Sequence, residues 1–248
     1  MSEWWTYRPS DFLLFSSRTY LRLFELHNTA LWPAQLVAAV LCAVLLWLAW
    51  RGGRSTARAA CAIVGVGWLF TATAYFVWRY ATINWAAAWF GAAFLLEGAL
   101  LVALAASRAC PALSMHASGH TAEPRRVVGA VLLVAGIAYP LLAPVLGRPW
   151  IQAEVFGLAP DPTAIGTLGL LLLLEWGEER RLRRIARMAW TGALWAIPVA
   201  WCVLTGITLW TLRAPEAIIA PALAVLACAA SRAGRRSPDF PRAHAADP

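Results

Sequence analysis

Seven apolar runs separated by short polar segments make up most of this chain. They are predicted as helices at residues 31–50, 59–78, 85–106, 127–146, 162–176, 189–212 and 215–231, together a transmembrane domain of residues 31–231. Most are about 20 residues long, the length a helix needs to cross a hydrocarbon core of about 30 Å. The fifth run is the exception, because about 15 residues rise only about 22 Å. Either the bilayer thins there, or the preceding segment 147–161 dips below the headgroups under cover of protein or water. Asp161-Pro162-Thr163 predicts the start of that helix, with aspartate as N-cap and proline at the first helical position. The helix is expected to run on past the membrane through residues 177–187.

Residues 1–30 have a different period and form no span. Ser10 and Ser17 are candidate N-caps. Arg18, Arg22 and Glu25 share one helical face, with Tyr20, Leu21 and Phe24 on the other. This predicts an amphipathic helix lying at the membrane interface. Asn28 is expected to cap the first span, with Pro33 in its first turns. Residues 232–248 are polar, contain proline and predict a disordered tail. The expected fold is therefore all-α: a polytopic transmembrane helix bundle of about seven spans with an N-terminal interfacial helix.

Composition supports this and excludes an ordinary soluble domain. Hydrophobic residues make up 60% and charged residues 14% of the 248, where a soluble domain carries about 25% charge. All 21 cationic residues are arginines, and they fall on alternate sides of the apolar runs. With the N-terminus outside, 15 arginines lie inside and six outside (Arg8, Arg18, Arg22, Arg79, Arg148 and Arg213). Positive short loops stay cytoplasmic, so the expected location is a bacterial inner membrane, N-terminus outside and C-terminus inside. Anionic lipids at the cytoplasmic face account for the net charge of +8 without nucleic acid. Met1–Arg8 has no basic region leading into an apolar stretch, so no cleavable signal peptide is expected. The five cysteines fall in spans or on the predicted inner side, which argues against a disulfide framework.

The two faces differ in kind. The inner loops are arginine plus small residues, as an anchor requires, and the loop 107–126 reads as a flexible connector. The outer segments mix tryptophan, tyrosine and hydrogen-bonding side chains with prolines, and this is the face expected to be specialised. A candidate outer vestibule comprises Arg148, Trp150, Glu154, Asp161, Arg79 and Asn84. Two carboxylates near one arginine suit a cation or a small polar solute, or form an internal salt bridge. Glu97 lies about 18 Å below the outer end of the third run among Leu95, Leu96 and Leu100. An ionisable group at such depth is a functional-site hypothesis by default, here a carboxyl able to cycle a proton, with Thr71 and Thr73 as candidate partners. Glu175 is the second intramembrane polar residue, close to the inner interface. Cys110, His116 and His120 match no zinc spacing, and no nucleotide-binding or hydrolase motif occurs. No metal site, cofactor or catalytic residue is predicted, and the balance leans away from an enzyme.

Trp4-Trp5-Thr6-Tyr7, Ser10-Asp11-Phe12-Leu13-Leu14-Phe15, Arg18-Thr19-Tyr20, Leu23-Phe24-Glu25-Leu26 and Trp32-Pro33-Ala34-Gln35 resemble a bacterial multi-pass family known only as a domain of unknown function. The stretches Arg79–Ala86, Gly147–Trp150 and Glu154–Thr163 are similar to its other recognisable segments. The resemblance covers the chain up to the seventh run and supplies no catalytic or binding residues. Members are sometimes loosely labelled major-facilitator permeases. Seven runs without an internal repeat do not make two six-helix halves. The functional expectation is a permease-like or transport-associated protein with a small solute or proton path. The alternative is an accessory or sensor subunit that docks a periplasmic or membrane protein.

Overall fold

A computed structural model describes residues 15–115, 123–176 and 181–233. The expectations for Ser10, for His116 and His120, and for most of the tail lie outside the described residues. The chain is a helical bundle of α1 (Ser17–Leu31), α2 (Ala34–Arg51), α3 (Arg54–Phe70), α4 (Ala87–Ala106), α5 (Glu123–Ala138), α6 (Leu142–Val145), α7 (Pro160–Leu173), α8 (Arg181–Thr211) and α9 (Ile219–Ala233). Helix α3 continues as a π-helix over Thr71–Val77. Two short strands, β1 (Ala112–Leu113) and β2 (Leu174–Glu175), pair antiparallel.

Five helical stretches are long and apolar enough to cross a membrane: Ala34–Arg51, Arg54–Thr82, Ala87–Ala106, Pro124–Val145 and Trp190–Thr211. Their outward faces are bare hydrocarbon. On α2 alone Leu36, Val37, Val40, Leu41, Val44 and Trp47 are exposed, a surface that suits lipid better than water.

Helix α7 is shorter, at 14 residues, and every one of them is buried. A helix apolar all round belongs inside a bundle, and α7 packs against α3, α5, α8 and α9. Glycines set its closest approach. A Cβ added at Gly136 of α5 would sit 2.7 Å from the backbone nitrogen of Gly166 in α7. Small residues that let backbones touch are the usual device of helix packing in apolar surroundings.

Several local expectations are corrected. Asn28 caps nothing: it lies inside α1 with its side chain buried, and α2 begins after Pro33. The N-cap of α7 is Ala159, and Asp161 is the second helical residue. Thr163 closes that first turn, accepting from the Gly157 N–H at 2.8 Å and donating to the Ala159 carbonyl at 2.6 Å. Helix α7 also does not run past residue 173, because the chain turns extended into β2.

The loop after α4 has a fixed course through residue 115. Leu113 exchanges backbone hydrogen bonds with Gly53, and β1 pairs with β2. Arginines hold the same end together. Arg58 donates to the Ser107 carbonyl, and Arg125 donates to the carbonyls of Leu171 and Leu174 at the end of α7. Cationic donors on the last carbonyls satisfy groups the helix itself leaves open. The arginine end is therefore a built closure, and Glu175 belongs to it through its ion pair with Arg126.

Candidate functional site

The opposite end of the bundle gathers most of the buried polar groups. Two helix C-termini deliver the charged residues. Just past α6 lies Gly147 (φ +72°), with Gly147 N–H bonded to Pro144 O and Arg148 N–H to Ala143 O. Helix α8 ends the same way, with Arg213 at φ +56° bonded to Trp210 O and Ala214 N–H bonded to Leu209 O. Both are Schellman caps, in which one left-handed residue reverses the chain. The first reversal points Arg148 back into the bundle and the second does the same for Glu216. They meet as an ion pair at 3.3 Å, with side chains only 12% and 6% exposed.

Two further carboxylates lie in the same buried region. Asp161 accepts hydrogen bonds from Trp201 Nε1 at 2.7 Å and from Thr205 Oγ1 at 2.9 Å. Trp201 and Thr205 are four residues apart, hence on one face of α8. Glu154 is buried in the loop before α7, and its Oε2 has no hydrogen-bond partner. Burial pushes the Glu154 carboxyl well above the usual carboxylate range, and the neighbouring Asp161 charge adds to the effect. Arg148 Nε and Nη1 are likewise without partners. Arg148 thus pairs with Glu216 and acts electrostatically on Glu154, while Asp161 is held by Trp201 and Thr205.

The loop carrying Glu154 is pinned from α1. His27 Nε2 lies 2.9 Å from Leu158 O. Asn28 Nδ2 donates to Ile151 O and Ala153 O, both at 2.8 Å, and Gln152 Nε2 donates to Glu25 Oε1 at 2.8 Å. The Gln152 bond, followed by Arg22, holds the Glu25 carboxyl below its ordinary value. Burial lowers His27 to about 4, so its imidazole is neutral near pH 7. Gly157 reaches deepest: a Cβ added at Gly67 of α3 would lie 3.0 Å from its Cα. Gly67 is 11 residues before Trp78, about 16 Å along the helix. The segment 147–161 therefore folds down into the bundle, one of the two readings left open by the shortness of run five.

Of the predicted vestibule, Arg148, Glu154 and Asp161 come together. Trp150 does not join them. It stands 61% exposed at a groove of about 430 Å³ lined also by Asn28, Trp32, Gln35, Ile151 and Val155. Arg79 is half-buried and acts electrostatically on His27. Asn84 accepts from the Ala86 N–H at 2.9 Å and serves the turn before α4. Glu216, Trp201 and Thr205 were missed by the sequence reading. Glu216 stands as a single acidic residue in its stretch of the sequence, and only the i, i+4 pair of Trp201 and Thr205 in α8 offered a signal.

Glu97 stands apart from the cluster. It is fully buried, and neither carboxyl oxygen has a hydrogen-bond partner. The expected hydroxyl partners do not reach it. Thr73 donates to Leu69 O and Phe70 O, and Thr71 Oγ1 is itself buried without a partner. Aromatic rings stand between Glu97 and the acid cluster. Phe94, one turn from Glu97 on α4, lies 4.2 Å from Trp68 and 5.1 Å from Trp201 between ring centroids, and Trp201 bonds Asp161.

Comparison with known families adds the classification. A family model described as a family of unknown function, DUF6064, matches residues 17–240. The chain belongs to DUF6064. That match spans α1 through α9 and so includes every residue of the acid cluster. Neither a curated protein nor a solved structure matches the chain. Membership in DUF6064 thus confirms the uncharacterised-family resemblance, and no named relative supports the permease label.

Proposed function

We propose that this DUF6064 protein is a small permease-like or transport-associated protein of the bacterial inner membrane, with its N-terminus outside. The reading rests on one observation: Glu154 and Asp161 of segment 147–161 and Glu216 from the turn before α9 lie buried beside Arg148 as one electrostatically coupled group, in which Arg148 pairs with Glu216 and acts on Glu154. Burying charge is costly unless it is paired. A site with two carboxyls in excess of its cation is built to take up positive charge, as a proton or a small monovalent cation. No residue cluster suited to a metal ion occurs among the described residues. Glu97, buried without a partner, is the second group on the proposed path. The path opens on the arginine-poor end, where Trp32, Trp78, Trp85, Trp89, Trp150 and Trp210 are all exposed, a distribution that suits an outer aromatic belt.

Flux of protons and monovalent cations in proteoliposomes tests this. The wild type is expected to be active, and Asp161→Asn and Glu97→Gln each to reduce flux at least about tenfold. Flux no greater than in empty liposomes sinks the reading.

A second reading has its own support. The groove between α1 and the 150–155 loop presents exposed Trp32 and Trp150, the kind of aromatic anchor found at protein interfaces. In that case the protein is an accessory or sensor subunit docking a periplasmic or membrane partner. A stoichiometric partner co-purifying in mild detergent, and lost on Trp32→Ala with Trp150→Ala, favours this reading over transport.

A further inference from the structure

Four largely buried ionisable side chains, Arg148, Glu154, Asp161 and Glu216, form the cluster, and their hydrogen bonds are unequal. Asp161 receives an indole N–H, a group that only donates, and a threonine hydroxyl whose oxygen lies 2.9 and 3.1 Å from its two carboxylate oxygens. It is also the second residue of α7, where the positive end of the helix dipole favours negative charge. Burial raises the Asp161 carboxyl to about 6, and the two donors hold it from rising further, so it is ionised at pH 7. Glu216 is ion-paired with Arg148 Nη2 at 3.3 Å, a charge-assisted contact made by a carboxylate. Glu154 makes no ion pair among the described residues and feels Arg148 only at a distance. It is 6% exposed, and its Oε2 meets no donor among the described residues.

We infer that Glu154 is the proton-binding residue of the cluster: it holds a proton while Asp161 and Glu216 are carboxylates, and that proton is the ligand the site exchanges. The step is a simple ionisation. The Glu154 O–H bond breaks, the proton leaves to water or to the next carrier, and the cluster goes from a net charge of −1 to −2. The groups facing Glu154 come from every surrounding element. Asp161 of α7 and Glu216 before α9 oppose its ionisation, and Arg148 after α6 favours it. Tyr20 of α1, Tyr75 of the π-helix and Tyr139 at the end of α5 also couple to it electrostatically. A buried phenol is neutral at pH 7, so the three tyrosines bring no compensating charge. The upward displacement of the Glu154 carboxyl by burial and by Asp161 agrees with the assignment.

The assignment depends on the transport reading only for its biological meaning, since the proton's address is a property of the fold. Infrared spectroscopy of the full chain in lipid tests it through the carbonyl stretch of protonated carboxyls, with Glu97→Gln as background to remove that residue's own band. At pH 7 the background protein is expected to show a carboxylic-acid band that Glu154→Gln abolishes and Glu216→Gln leaves in place. A second measurement does not depend on Glu154→Gln folding. Asp161→Asn removes the opposing charge, so the pH at which the band disappears falls by roughly one to three units. The inference is overturned by a background protein with no such band, by a band that survives Glu154→Gln, or by an unchanged pH of disappearance in Asp161→Asn. Proteoliposome flux is read separately, so the assignment can fail with transport intact, or hold where no transport occurs.

Discussion

Asn28 and Ala153 lie 125 residues apart in the chain, yet the Asn28 side-chain amide donates to the Ala153 carbonyl at 2.8 Å. The same Nδ2 donates to Ile151 O at 2.8 Å, so one buried amide fixes two carbonyls of the loop that carries Glu154. The helix expected to lie at the membrane interface is also the clamp on the loop that carries Glu154.

Asn28→Ala is therefore expected to destabilise the fold by about 1–3 kcal/mol, the cost of leaving buried carbonyls without donors. Asn28→Asp removes the same donors and is expected to destabilise it too. Hydrogen exchange should show the gain in exchange concentrated in residues 150–159. Uniform protection in both variants would contradict the clamp.

His27 gives the fold a pH dependence whose sign follows from its burial. Its folded-state value is about 4, against about 6.5 in an unfolded chain. Above pH 6.5 both states are neutral and the contribution is fully present. As pH falls below 6.5 the unfolded chain takes a proton that the folded one refuses, and stability is lost progressively down to about pH 4. The total reaches up to about 3 kcal/mol. Thermal unfolding followed by circular dichroism from pH 7.5 to 4.5 should show a smaller fall in His27→Gln than in the wild type. Equal slopes would rule out His27 as the source.

Two glycines of the bundle should respond oppositely to alanine. At Gly169 in α7 an added Cβ meets the backbone nitrogen of Leu133 in α5, with no flexible side chain able to yield. Gly169→Ala is expected to cost about 1–3 kcal/mol or more. At Gly192 in α8 nothing lies within 4 Å of the added atom, so Gly192→Ala is expected to be neutral or to stabilise by up to about 1 kcal/mol. Unfolding midpoints in one detergent compare the pair directly.

At the other end, Arg125→Ala removes the donors to Leu171 O and Leu174 O. A loss of about 1 kcal/mol is expected, with faster exchange confined to the last turn of α7 and to β2. A change spread over the whole bundle would mean that Arg125 does more than finish this helix.

Apolar periodicity carried most of the architecture. Runs of about 20 apolar residues can satisfy their backbone only as helices in an apolar medium, so the main helices were legible before any tertiary contact was known. The short fifth run, with about 15 residues too few to span alone, left a thinned bilayer or an inward-folding segment 147–161 as the two readings. Arg148, Glu154 and Asp161 were legible as a group because that segment holds them within 14 positions.

Tertiary structure decided what these residues meet. Glu216 joins the cluster because Arg213 adopts a left-handed conformation that turns the chain inward, a backbone choice no side-chain pattern announces. Asp161 looked like a cap because Asp-Pro-Thr usually is one. The first turn is instead closed by Thr163, which leaves Asp161 free to bond Trp201 and Thr205 across 40 and 44 residues. Asn28, Arg125 and Arg126 had local explanations as cap and topology signals, and their actual partners lie between 46 and 125 residues away. The sequence by itself determined which segments are helices and which end is rich in arginine, since both follow from hydropathy and charge within a window of a few turns. Only the fold decided which charges are buried together, because that depends on where separate chain reversals point, and no local window contains them.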